Sequence, residues 1–222
     1  MDGAVLSGVL VWGFSFIFST TFHEAAHAWA AKKGGDLTAY HGGLVTFNPI
    51  PHIIRSPFGM VVVPILAFVF SGFMIGWAST PYNRLWAERY PHRSAWMSLA
   101  GPAANLAIFL AALAALKLGM ALQIFPEDKL LLWEMTSPEN LWHVLGHLLF
   151  ILYTLNVILF CFNLFPLPPL DGSEVILLFF PEHKAPAIRQ NMQMFGMFGI
   201  FLAILVFNSV GAKIIGAFWL LV

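Results

Sequence analysis

The segment His23-Glu24-Ala25-Ala26-His27 carries the clearest chemistry in this chain. Two histidines four residues apart lie on one helix face, separated by ~6 Å of rise. Zinc accepts such a pair readily, because both imidazoles then point at one tetrahedral centre. The glutamate between them is placed to act as general base toward a water on that metal. The residues before it, Gly3 to Phe22, are apolar and uncharged. An ionisable cluster on a helix of that kind is costly in a bilayer, and so is functional by default.

A second constellation is Asn163-Leu164-Phe165-Pro166-Leu167-Pro168-Pro169-Leu170-Asp171-Gly172. The prolines end the preceding helix. The extended backbone that follows, near membrane depth, must be buried in protein or line a cavity. Asp171 is the candidate third zinc ligand, since two His and one carboxylate leave a fourth position open. In isolation Asp171 also reads as an N-cap, with Glu174 three residues on; the His pair and the proline run favour ligation. Asn163 is read as an oxyanion or substrate-backbone donor, against satisfying backbone groups freed at the helix end. Asn105, beside Gly101-Pro102, has a packing or inter-helix role competing with a site role. His52 either lines the site or sits on a surface loop. His143 and His147 form another i, i+4 pair without an intervening Glu, and are read as interfacial or packed.

The elements that position these residues belong to a membrane protein. Of 222 residues, 59% are hydrophobic and only 10% are charged, against about 25% charged in a soluble domain. Net charge is zero, which gives no field for nucleic acid. The one cysteine, Cys161, excludes an internal disulfide and a Cys-based zinc site. The apolar start lacks a basic stretch before it and is read as retained. Apolar runs at 4–31, 58–78, 94–118, 141–165 and 191–210 approach the ~20 residues needed to span a bilayer. A tail at 211–222 reads as interfacial. A short β-hairpin is expected at 37–47, with Gly42-Gly43 as its turn, offering an edge to an extended substrate. Asn48-Pro49-Ile50-Pro51-His52 is expected to break regular structure.

Charge and parity agree on a topology. If 58–78 re-enters, then Lys32, Lys33, Arg55, Arg84, Arg89, Arg93, Lys184 and Arg189 share one side, leaving only Lys117, Lys129 and Lys213 on the other. The loop 119–140 on the poor side is acidic, with Glu127, Asp128, Glu134 and Glu139. If 58–78 crosses, the split is six against five and the bias vanishes. The positive-inside rule favours re-entry, with the basic side cytoplasmic. Re-entry also lets His23 and Asp171, each near the C-terminal end of its helix, meet at one metal. The expected fold is therefore an all-α polytopic membrane protein over 1–222 as a single domain. It has about four full transmembrane helices, the re-entrant segment and the hairpin.

With His23-Glu24-Ala25-Ala26-His27, Gly101-Pro102-Ala103-Ala104-Asn105 and the Asn163-to-Gly172 pattern in place, the chain resembles the site-2 protease family of intramembrane zinc metalloproteases. Asn48-Pro49-Ile50-Pro51-His52 and Gly76-Trp77-Ala78 make it similar to a compact, bacterial-type subgroup; no PDZ or CBS module is visible. The resemblance implies one zinc on His23, His27 and Asp171, with Glu24 as catalytic base. It implies cleavage of a peptide bond in or near a substrate's transmembrane segment, in a bacterial cell (inner) membrane, with the site toward the cytoplasm. The partners are a transmembrane protein substrate and the bilayer. Two other classes compete: an inactive relative that binds membrane proteins, and a membrane metal transporter. The convergence of the ligands and the Glu in the base position favour the enzyme.

Overall fold

A computed structural model describes residues 3–125, 141–196 and 198–221. The first helix, α1 (Gly3–Gly34), runs 32 residues without a break. At 1.5 Å per residue it is about 48 Å long, so its ends project beyond the ~30 Å hydrocarbon. Lys32 and Lys33 in its last turn oppose the negative end of the helix dipole. Gly35, at φ 99°, closes it. There Asp36 N donates to Ala31 O and Gly35 N to Lys32 O, the paired bonds of a left-handed C-cap.

Two further long helices complete the bundle: α6 (Pro91–Ala121) and α7 (Leu141–Asn163). Their directions follow from the side chains that meet. Going up α1, Gly34 lies by Arg93, His27 by Met97 and His23 by Asn105, so α6 runs antiparallel to α1. Val11, Trp12 and Phe16 pack with Ile151 and Leu155, and Ser19 bonds Asn156, so α7 runs parallel to α1. Phe109, Ala112 and Leu116 of α6 fill the space against Tyr153 and Val157 of α7. Such association in lipid is driven by packing and inter-helix hydrogen bonds.

Between α1 and α6 the chain forms only short elements. They are α2 (Thr38–His41), α3 (Pro49–Arg55), a π turn Phe58–Val62, α4 (Val63–Ser71) and α5 (Arg84–Arg89). The axes of α3 and the Phe58–Ser71 stretch differ by 112°. After Gly72 the backbone turns and comes back along the way it came. Trp77 N donates to Gly59 O, and Arg55 Nε donates to Ser79 O. Gly59 and Gly76 allow this, since a Cβ on either would strike the backbone of the opposite limb. The two ends of the 58–78 segment thus lie together at one end of the bundle. Asn83 N donates to Asp36 Oδ2 there, and Trp86 Nε1 to Gly34 O.

Helix α8 (Gly172–Val175), two single 3-10 turns and α9 (Ala185–Gln193) follow α7, before α10 (Phe198–Trp219). Arg189 of α9 clasps Glu174 (Nη2–Oε2 2.6 Å) and donates to Ala87 O, gathering these pieces at the same end. Among the described residues three helices are long and apolar enough to cross a membrane, or up to five if each bent pair counts as one span.

Several expectations are corrected. No strand occurs among the described residues, so the hairpin at 37–47 is absent. Asp36 Oδ1 instead accepts from Thr38 N and Thr38 Oγ1, which starts a helical turn. Gly43, at φ 70°, then closes it: Leu44 N donates to Ala39 O and Gly43 N to Tyr40 O. The Gly-Gly pair is a helix C-cap. Likewise Asn48 to His52 does not break structure but begins α3, with Asn48 Oδ1 capping Ile50 N and Pro49 in the first turn. The apolar tail is not a separate interfacial piece, since α10 continues to Trp219. The acidic residues Glu127, Asp128, Glu134 and Glu139, with Lys129, lie outside the described residues.

Candidate metal centre

His23 and His27 point from α1 toward α6 and are 7% and 5% exposed. Asp171 reaches them from the irregular segment after α7, which contains a cis Pro168–Pro169 bond. His23 Nε2 lies 3.1 Å from Asp171 Oδ2, and His27 Nε2 3.3 Å from Asp171 Oδ1. The two Nε2 atoms are 3.0 Å apart. The donors of a tetrahedral zinc with bonds of about 2.0–2.1 Å are separated by ~3.3 Å. Among the described residues, these three form the group suited to hold a metal ion. Asp171 makes no side-chain capping bond, so its carboxylate is committed to the histidines rather than to α8.

The outer nitrogens fix what the inner ones can do. His27 Nδ1 lies 2.8 Å from Met97 O. A carbonyl only accepts, so Nδ1 carries the proton and Nε2 keeps its lone pair. His23 Nδ1 lies 2.6 Å from Asn105 Oδ1 and is held in the same tautomer. Two lone pairs and a carboxylate therefore converge. Asp171 Oδ2 is buried and receives no hydrogen bond, although His23 Nε2 is near. A proton satisfies one of these contacts; a divalent cation satisfies all three. The donor set fits zinc, with both histidines oriented by an acceptor behind them.

Gly101 makes room for the cluster. A Cβ there would run into Nε2 of both histidines. The Gly-Pro pair therefore brings α6 against the ligands themselves, not merely against the α1 backbone.

Glu24 is 5% exposed. Its Oε2 accepts a hydrogen bond from Thr80 Oγ1 at 2.8 Å, and the same hydroxyl lies 2.9 Å from Glu24 O. The returning segment thus lies over the motif and holds its carboxylate. Asn105 is completely buried and serves His23. Its Nδ2 donates to Asn156 Oδ1 at 2.8 Å, so this amide faces Asn156 rather than the cluster. Asn163 Nδ2 donates to Leu159 O of its own helix, and no hydrogen bond joins it to the cluster. His52 is buried rather than on a loop surface, and its Nε2 donates to Thr46 O. Among the described residues no third ligating side chain joins His143 and His147.

Asn156, Thr80 and Met97 O were not legible as parts of the site. Asn156 had a signal: an amide in the middle of the apolar helix 141–163, where a polar side chain is expensive. Thr80 and the Met97 carbonyl had none.

A sequence model of peptidase family M50 matches residues 12–207. A protein of Bacillus subtilis (strain 168) named "Putative zinc metalloprotease YwhC" is 33% identical over 194 residues, covering 87% of this chain and 78% of the relative. No solved structure matches.

Proposed function

This chain belongs to peptidase family M50, and from that premise we propose that it is an intramembrane zinc metalloprotease. It hydrolyses a peptide bond in or near the transmembrane segment of a membrane-protein substrate. The observation that carries this reading is the convergence of His23 Nε2, His27 Nε2 and Asp171, with both outer ring nitrogens already bonded to acceptors. His23, His27 and Asp171 would hold the zinc, which supplies Lewis-acid chemistry by acidifying water and polarising a carbonyl.

The remaining work falls to the chain. Glu24, held at Oε2 by Thr80, takes a proton from the attacking water on Oε1 as the water oxygen bonds the carbonyl carbon. It then gives that proton to the amide nitrogen as the carbon–nitrogen bond breaks. Lys32, Lys33, Arg93 and Arg189 lie at the same end as the cluster, which supports a cytoplasmic site in a bacterial cell membrane. In this reading residues 1–222 act as one integral-membrane protease domain.

Glu24→Gln tests the reading. It keeps the shape and removes the base. Cleavage of a transmembrane substrate by purified protein should fall by about 10²- to 10⁴-fold, with zinc content unchanged. A mutant that cleaves at the wild-type rate refutes it.

A further inference from the structure

Behind His23 stands a chain of three hydrogen bonds that ends on a backbone carbonyl. Asn156 Nδ2 lies 2.8 Å from Leu152 O and 2.8 Å from Ser19 Oγ. Asn105 Nδ2 lies 2.8 Å from Asn156 Oδ1, and His23 Nδ1 lies 2.6 Å from Asn105 Oδ1. Asn105 and Asn156 are both completely buried, so no bulk water competes for these groups.

The direction of every bond follows from one fixed point. Leu152 O can only accept, so Asn156 must turn its NH2 toward it. Its Oδ1 then faces Asn105 and can only accept. Asn105 must therefore turn its NH2 toward Asn156 and its own Oδ1 toward His23. His23 must place its proton on Nδ1, which leaves Nε2 with a lone pair aimed at Asp171 and His27. If Asn105 turned over, its NH2 would face Nδ1. The ring proton would then move to Nε2, where no metal can bind.

We propose that Asn156 is a positioning residue for the metal centre: acting only through Asn105, it holds His23 in the tautomer that ligates. Asn156 touches no ligand, substrate or reacting atom. Its effect travels by orienting a symmetrical-looking amide that would otherwise have two settings. This inference rests on the zinc reading above.

The test is zinc affinity, measured by chelator competition on the purified full chain in detergent, without any activity assay. Asn156→Leu removes the anchor while keeping the volume. Loss of an outer partner of a ligating histidine typically weakens metal binding by about 10- to 100-fold, and a loss of at least roughly tenfold is expected here. Asn105→Asp supplies the discriminating background. A carboxylate accepts at either oxygen, so its orientation is immaterial and His23 Nδ1 keeps its proton without help from Asn156. Asn105→Asp with Asn156→Leu should therefore bind zinc within about threefold of Asn105→Asp alone, against roughly tenfold for the single change. A role in packing alone predicts the same loss in both backgrounds.

Wild-type zinc affinity in Asn156→Leu overturns the proposal. So does a double variant that falls as far below Asn105→Asp as the single variant falls below wild type. If the leucine variant does not fold, by elution profile and helical content, Asn156→Ala deletes the same amide without added bulk and is read in the same way. A wild-type chain that binds no zinc at all would instead refute the zinc reading itself.

Discussion

Adding one methyl group at position 101 should disable the metal centre while leaving the bundle standing. In Gly101→Ala the new Cβ falls 2.6 Å from His23 Nε2 and from His27 Cε1, and closer still to His27 Nε2. Ordinary contact begins near 3.4 Å, so the His23 ring must move by about 0.8 Å and the His27 ring by more. Functional constellations tolerate misplacement of only ~0.5 Å. The rings cannot rotate away freely, because Met97 O and Asn105 Oδ1 hold their other nitrogens. Either the rings give up those bonds or α6 is pushed from α1. Overpacking of this kind costs about 1–3 kcal/mol, and 1.4 kcal/mol is tenfold, so zinc should bind roughly 5- to 150-fold more weakly. Gly216→Ala is the control, since nothing lies within 4 Å of its Cβ. Chelator competition gives the affinity, and circular dichroism checks that helix content is unchanged. A Gly101→Ala protein with wild-type zinc affinity would show that the ligands do not meet α6 as described.

Two further outcomes are expected. Thr80→Val keeps the side-chain shape but removes the hydroxyl that holds Glu24; hydrogen bonds to charged groups are worth about 1.5–3 kcal/mol, so kcat should fall about 10- to 150-fold with zinc content and KM unchanged, and an unaltered kcat refutes the positioning of Glu24 by the returning segment. In a Cys161→Ala background, cysteines placed at Ser56 and at Arg84 should be labelled from the same face of the membrane, because Arg55 bonds Ser79 O and the segment between them turns back; labelling from opposite faces would overturn that topology.

What could be read from sequence was set by how local the signal is. His23, Glu24 and His27 sit within one helical turn and a half, where spacing alone fixes which face they share. Asp171 offers an ordinary role as an N-cap, and only the His pair together with the proline run before it favours ligation; in the fold that cap is left unmade. The hairpin failed for a local reason too. Gly42-Gly43 suits a strand turn and a helix C-cap equally, and the residue that decides is Asp36, whose carboxylate starts α2 by taking the Thr38 N–H and hydroxyl. Asn156 and Thr80 were obscure in another way. Each acts through a partner 51 to 56 positions distant on another element, and no periodicity reports such a meeting.

The separation of the donors along the chain has a consequence for biosynthesis. His23 and His27 lie on α1, whereas Asp171 follows α7, two long helices later in the chain. A growing chain therefore carries the base and two imidazoles long before the carboxylate that completes their set. Until α7 is in place and the Pro166–Asp171 turn has folded back, the three donors cannot converge. Under the zinc-protease reading proposed above, an unfinished chain would lack the metal centre that the reading requires.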